Sequence, residues 1–227
     1  MSPTSRSLPR RAYLGAELPA DTEAFTHGGV RIAGVVDGSM AERAGLCAND
    51  LLVSLADHPV HDLRSLAAAL RSAGGAATAE VVYVRDGAQH AITVDVVDVP
   101  TEPDAAYGEL GVDGARLRTI ATHAESPRAL VLVIQGIACE SIDHALDLDA
   151  PLASFVTAVT AAGYDTLRFD KRGVGDSEGG PCATSDFHTE LADARAALEY
   201  ARRRGLPIVL FGHSVGGIIA AQLASRD

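Results

Sequence analysis

Apolar and polar residues alternate along this chain in two regimes. Through roughly the first hundred residues the apolar positions come in short runs separated by glycine, asparagine and aspartate. Tyr13–Leu18, Val30–Val36, Asp50–Leu55, Glu80–Arg85 and Gln89–Val97 are of strand length, and Asp86-Gly87 between the last two is a strong hairpin signal. Two helices interrupt the strands. Ser39-Met-Ala-Glu42 has the S-x-x-E form of a capping box, and the helix that it opens stops at Gly45. Asp62 or Ser65 caps the second, which carries Leu63, Leu66, Ala67 and Leu70 on one face and ends at Gly74-Gly75.

Beyond this the pattern changes. Val99-Pro-Thr-Glu-Pro-Asp104 is polar and proline-bearing, which predicts a linker over 99–104 between one domain at 11–98 and another at 105–227. Ala105–Val112 and Ala115–Thr122 flank Asp113-Gly114 and read as a second hairpin. Ala129–Ile134 is apolar throughout, as a buried parallel strand is. A helix starts near Pro151 with Leu152, Phe155, Val156 and Val159 at helical spacing and ends at Gly163. Asp165–Phe169 is the next strand. Phe187, Leu191, Ala194, Leu198 and Ala201 form a helical stripe capped by Ser185 or Asp186 and closed by Gly205, and Ile208–Phe211 is a further strand. Strand and helix in alternation predict an α/β fold: a doubly wound parallel sheet with the hairpin at one edge, behind a β-rich N-terminal module.

Composition narrows the function classes. A net charge of −11 argues against nucleic acid and anionic membranes as partners. No apolar run reaches 18 residues, so no membrane span is predicted. Met1–Arg11 lacks an apolar core, so no secretory signal is expected and a cytoplasmic location is. Cys47, Cys139 and Cys182 are widely spaced and odd in number. They make neither a metal motif nor a disulfide framework, which suits a reducing compartment. His58 and His61 lie close together with no carboxylate at ligand spacing and read as surface loop, as does His27; no metal and no cofactor are expected.

Ser39-x-Ala41-x-x-Ala44-Gly45-Leu46-x-x-x-Asp50-x-Leu52-x-x-Leu55-x-x-x-x-Val60, with the Val-Arg-Asp-Gly hairpin after it, resembles the core signature of a bacterial PDZ domain of the type attached to HtrA-like proteases. The resemblance covers about Arg11 to Asp98. It implies that Tyr13-Leu14-Gly15-Ala16 is a carboxylate-binding loop, capturing a peptide C-terminus that adds a strand to the sheet edge. The usual glycine before Asp50 is here Asn49, which also tolerates a left-handed turn. The bland alternative is a PDZ-shaped spacer.

The chemistry concentrates near the end of the chain. Gly212-His213-Ser214-Val215-Gly216 follows an apolar strand and precedes a small-residue helix, the strand–turn–helix context of a G-x-S-x-G nucleophile elbow. Side chains at 212 and 216 would collide with neighbouring backbone, and the turn would hold Ser214 in a strained conformation. About forty residues earlier, Asp170-Lys171-Arg172-Gly173-Val174-Gly175-Asp176-Ser177 looks like the D-x-R-G-x-G-x-S motif of α/β-hydrolases. Gly173–Gly180 lacks the G-x-G-x-x-G spacing and carries acids, which argues against a nucleotide. The resemblance to α/β-hydrolases covers Ala105 onward. It implies a bracing role for Asp170 and Arg172, and an oxyanion hole made by the backbone N–H groups of Val215 and of Ile137, in Gln135-Gly136-Ile137. Cys139 in the same loop reads as a bystander.

In that family an acid and then a histidine follow the nucleophile. Thirteen residues follow Ser214, with no histidine and one acid, Asp227. His123, His144 and His188 all precede it. The expectation is a chain cut inside a complete enzyme, short by on the order of 90 residues at about 30 per strand–helix unit, and inactive or marginally folded in its second half as written. Three functions fit these features. One is a serine hydrolase acting on a small-molecule or peptide ester or amide through an acyl-enzyme on Ser214, with a peptide-binding module. The others are a non-catalytic peptide-binding scaffold, and an acyltransferase on the same fold.

Overall fold

The computed structural model describes residues 7–19 and 28–225. His27 and Asp227 lie outside the described residues. The chain divides into two compact units, one of Pro9–Val99 and the other of Pro100–Asp227 together with the segment ending at Leu8.

The unit Pro9–Val99 contains β1 (Ala16–Glu17), β2 (Val30–Arg31), β3 (Gly34–Val35), α1 (Met40–Arg43), β4 (Leu51–Leu55), β5 (His58–Pro59), α2 (Leu63–Ala73), β6 (Thr78–Arg85) and β7 (Ala88–Asp95). The antiparallel sheet runs β2-β4-β6-β7, with β5 on β4, and β1 pairs with β3. Tyr13–Leu18 is strand only at Ala16–Glu17, and Val30–Val36 is two short strands rather than one. The break falls where the Ile32 N–H turns to the Asp50 carbonyl and the Ala33 N–H to that of Glu17, so each half joins a different sheet. Asp62 is the cap of α2, in a reciprocal box with Ser65. Asp86 and Gly87 both have positive φ, the backbone of a tight two-residue hairpin, and Asn49 is left-handed at φ 77. Val30, Ile32, Met40, Leu52, Leu55 and Val60 form the centre of this unit's core.

The second unit contains β8 (Ala105–Val112), β9 (Ala115–Thr122), β10 (Leu130–Ile134), α3 (Pro151–Ala161), β11 (Asp165–Phe169), α4 (Phe187–Arg202), β12 (Ile208–Gly212) and α5 (Val215–Ala224). Its sheet runs β12-β10-β11-β9-β8. β10 is parallel to both β11 and β12, while the β8–β9 hairpin joins β11 antiparallel at one edge. The two faces follow from strand alternation. Leu130, Leu132, Ile134, Leu167 and Phe169 pack against Leu191, Ala194 and Leu198 of α4 and Ile219 of α5. The alternate residues face the other way, where Phe155 of α3 stacks on Phe211 at a centroid distance of 4.4 Å.

Two buried ion pairs cross this unit. Arg118 on β9 bonds Asp176 at 3.0 Å with both side chains out of solvent. Arg168 on β11 is fully buried and pairs with Glu102, which is only 8% exposed although it lies in the stretch expected to be a linker. An ion pair of this kind is tolerable inside only because each charge has its partner. No helix among the described residues is long and apolar enough to cross a membrane.

Candidate active site

β10 and β12 run side by side in register, Ile134 opposite Gly212, so the segments leaving their C-terminal ends emerge together. One of these segments holds Ser214. Its backbone sits at φ 54, ψ −125, a region that a non-glycine residue occupies only at a cost of about 1–3 kcal/mol. The surroundings enforce this. The His213 N–H bonds the Ile134 carbonyl at 3.1 Å, and the Gly216 N–H closes the turn onto the His213 carbonyl at 2.9 Å. A Cβ on Gly212 would lie 2.5 Å from the Gly217 nitrogen, and one on Gly216 would lie 2.6 Å from the Gln135 carbonyl oxygen. Only glycine fits at either place. The turn leaves Ser214 exposed, with no hydrogen bond on its hydroxyl among the described residues.

The segment after β10 comes close to the elbow from the other side. A Cβ on Gly136 would be 3.1 Å from that of Ser214 and 3.3 Å from the His213 Nδ1. The next residue, Ile137, is 73% exposed, and its N–H donates to no acceptor among the described residues. The N–H of Val215, the first residue of α5, is likewise unbonded. Two backbone N–H groups without a described acceptor, of Val215 after Ser214 and of Ile137 after Gly136, thus come from two segments held together by the register of their strands. Such donors can stabilise negative charge that develops on a carbonyl oxygen under attack.

The loop after β11 supports this arrangement. The Asp170 carboxylate accepts from the Ser141 hydroxyl at 2.9 Å and from the Ile142 N–H at 2.8 Å, which fixes the far end of the segment after β10. Arg172 makes three hydrogen bonds to Asp193 on α4, at 2.7–3.1 Å. Burial pushes the Asp193 carboxyl above its usual range, while the Arg172 pairing pulls the other way.

The cysteines overturn the reading that this chain has no disulfide. Cys139 is bonded to Cys182, with their Cα atoms 5.8 Å apart, and Cys47 is free. The two partners are 43 residues apart, and nothing local in the sequence marks them as a pair. Only the fold brings the loops after β10 and β11 together. Cys139 is no bystander thiol, and the ground for inferring a reducing compartment is gone. Two other residues were invisible for the same reason: Ser141, which meets Asp170 across 29 residues, and Glu102, which meets Arg168 across 66.

The histidines before the elbow go elsewhere. His123 Nδ1 lies 3.0 Å from Asp165. The His144 N–H donates to Glu102 at 2.7 Å, and burial, together with the nearby Arg168 charge, pushes the imidazole below its ordinary pKa. His188 packs edge-on to Phe187. None bonds Ser214 among the described residues. A cavity of about 260 Å³ is lined by Tyr107, His123, Tyr200, Arg203 and Arg204 among others, and none of Ser214, Ile137 or Val215 borders it. Among the described residues no group of three His, Cys, Asp or Glu side chains converges to hold a metal.

In the other unit, the loop Tyr13-Leu14-Gly15-Ala16 turns its carbonyls inward. The Tyr13 carbonyl accepts from Met40, that of Leu14 from Ala41 and that of Gly15 from Val36. The N–H groups of Leu14 and Gly15 donate to no described acceptor, and Gly15 is left-handed at φ 65. Successive free N–H groups in such a turn form an anion-binding concavity. Tyr13 drops out of the expected donor set, because its own N–H bonds the Val97 carbonyl at 2.6 Å.

Comparison with known proteins finds a family match in each unit. Residues 31–84 match the PDZ domain family, and residues 125–227 match the serine aminopeptidase family S33. The chain thus carries a PDZ domain and an α/β-hydrolase domain. It is 38% identical over 80 residues to the quorum-quenching protein AidA of Acinetobacter baumannii, a stretch covering 34% of this chain and 26% of that protein. Among solved structures, it resembles the α/β-hydrolase GrgF of a Penicillium species at 23% identity and a TM-score of 0.46, over 54% of this chain and 42% of that one. It also resembles an α/β serine hydrolase homologue from Coxiella burnetii at 20% identity and a TM-score of 0.43, over 58% and 61%. The chain therefore spans about a quarter of this curated relative's length and less than two thirds of each of these two structures.

Proposed function

We propose that this protein, at its native length, is a serine hydrolase that cleaves an ester or amide through an acyl-enzyme on Ser214. The observation that carries this reading is the backbone of Ser214. A non-glycine residue is held at φ 54 between a buried strand and a helix, its hydroxyl exposed. Structures retain such strain where the surroundings over-determine it, and such places are concentrated at reactive sites. The unused N–H groups of Ile137 and Val215 supply the second requirement. In the reaction the Ser214 Oγ attacks the substrate carbonyl, and the developing oxyanion takes hydrogen bonds from those two donors. Collapse expels the alcohol or amine, and water then releases the acid. The match of residues 125–227 to a hydrolase family supports the class of reaction.

A serine hydroxyl needs a base to accept its proton and a third group to orient that base. The described residues supply neither to Ser214. By the chain order of α/β-hydrolases both belong after the nucleophile, and the full mechanism calls for them there. A second reading, in which the domain is a non-catalytic scaffold that presents the PDZ module, is separated from the first by the experiment below. Transfer of the acyl group to an acceptor other than water is a variant of the first reading, separated by product analysis.

The PDZ module would capture a peptide C-terminus on the Leu14 and Gly15 N–H groups, as an added strand on β1. Peptidic substrates or partners then suit the protein. Its likeness to a quorum-quenching protein adds signalling molecules to the substrates worth assaying.

The test is pre-steady-state hydrolysis of a chromogenic ester by the native-length protein. A burst of alcohol stoichiometric with protein, absent from Ser214→Ala, is the expected result. Turnover that survives in Ser214→Ala would reject the assignment, and absence of any burst or turnover would favour the scaffold.

A further inference from the structure

We infer that the Cys139–Cys182 disulfide is the positioning element of the oxyanion segment, and that its reduction by a dithiol slows acylation of Ser214; this rests on the hydrolase reading above. The inference starts from what holds the segment 136–140. Among the described residues none of these five makes a backbone or side-chain hydrogen bond. The anchors lie at either end. Gln135 Nε2 donates to the Phe169 carbonyl at 3.2 Å, and Ser141 and Ile142 bond Asp170. Between them the backbone that presents the Ile137 N–H has one bond to the rest of the protein, the disulfide at Cys139.

The other end of the disulfide is firm. Cys182 is 8% exposed and opens a single 3-10 turn, Cys182–Thr184. The Thr184 N–H bonds the Pro181 carbonyl and the Ser185 N–H bonds that of Cys182, both at 2.9 Å. From there the chain passes directly to Asp186, the cap of α4, whose side chain accepts from the Thr189 N–H. A loosely held segment is thus tied through a buried cysteine to the turn that leads into α4, the helix whose Leu191, Ala194 and Leu198 lie in the core. Cutting the tie leaves Ile137 on a run of five residues free of hydrogen bonds. Its N–H is then a donor that must be ordered during the reaction instead of before it, which forfeits preorganisation.

Cys139 is an exposed residue and Cys182 a buried one, so Cys139 is the end of the disulfide that a thiolate reaches first. A thiolate of the dithiol attacks the Cys139 sulfur, forming a mixed disulfide there, and the Cys182 thiolate leaves and takes up a proton. The second thiol of the reagent then attacks the reagent's own sulfur in the mixed disulfide and expels Cys139 as a thiolate, which is protonated in turn. The protein disulfide gains two electrons and two protons and becomes two thiols. The dithiol loses the same and becomes a cyclic disulfide.

The experiment uses the native-length protein, a fluorophosphonate probe, and dithiothreitol as the dithiol. Saturation kinetics of Ser214 labelling are followed in the oxidised wild type, the reduced wild type, and the Cys139→Ser and Cys182→Ser variants. Thiol titration and thermal unfolding are measured on each sample. The expected result is a maximal labelling rate lower by about tenfold or more in the reduced protein, up to the 10²–10³ for complete loss of one oxyanion donor. The concentration for half-maximal rate stays unchanged, and reoxidation restores the rate. Both variants should match the reduced wild type and ignore dithiothreitol. Four results would overturn the inference: an unchanged maximal rate in protein shown to be reduced, a rate loss that merely follows the folded fraction, oxidised protein that titrates as three free thiols, or variants as fast as the oxidised wild type. No labelling of the oxidised protein at all would instead defeat the hydrolase reading, and this inference with it.

Discussion

Gly216 rests its α-carbon against the end of β10. A Cβ there would overlap the Ile134 carbonyl oxygen and lie 2.6 Å from that of Gln135. Its neighbour Gly217 has room, since the nearest atom to an added Cβ is the Gly212 carbonyl oxygen at 3.4 Å. Gly216→Ala is therefore expected to lower stability by about 1–3 kcal/mol. Gly217→Ala, inside α5, should leave it unchanged or raise it by up to about 1 kcal/mol. Denaturant midpoints of the two variants check the contrast; equal losses would mean that the close approach at Gly216 is not what the residue is there for.

The pair Arg118–Asp176 is buried on both sides. Removing the arginine alone takes its paired cation from a buried carboxylate, so Arg118→Ala should lower the stability of its unit by about 3–5 kcal/mol. An equilibrium urea titration reads this. A loss under about 1 kcal/mol would show that Asp176 finds water or another cation, and that the pair does not organise the loop after β11.

The imidazole of His144 is held below its ordinary pKa of 6.5 by burial and by the nearby Arg168 charge, against the opposing pull of Glu102, Asp143 and Asp147. A histidine with a lowered folded pKa binds its proton more readily when unfolded. Stability is therefore full above about pH 6.5, falls as the pH drops below it, and stops falling under the lowered value. His144→Asn should flatten that part of the curve. Denaturation midpoints of wild type and variant from pH 8 to 5 measure the difference, and parallel curves would refute the effect.

Asp62 and Ser65 cap α2 reciprocally, each side chain accepting from the other's N–H. Asp62→Ala should lower the stability of the PDZ unit by about 1 kcal/mol. The amide exchange rates of Leu63 to Leu66 should rise with it, and their failure to do so would deny the cap its role.

Much of the fold was legible because its signals are local. The hairpins at Asp86-Gly87 and Asp113-Gly114, the caps at Asp62 and Asp186, and the apolar run Leu130–Ile134 each announce themselves within ten residues. The split of Val30–Val36 was not legible, because it depends on which partner takes each N–H. At the candidate site, Ser214 and the elbow around it could be read from five letters and their flanks. Cys139–Cys182, Ser141–Asp170 and Glu102–Arg168 could not. Each joins residues 29 to 66 positions apart, and only the parallel register of β10 and β11 brings the loops that carry the first two together.

Intact-mass analysis after exposure to a fluorophosphonate asks whether Ser214 is a nucleophile. The native-length protein should gain the mass of one phosphonyl group, peptide mapping should place it on Ser214, and Ser214→Ala should gain nothing. An unmodified native-length protein, or an adduct that persists in Ser214→Ala, would rule out Ser214 as the nucleophile.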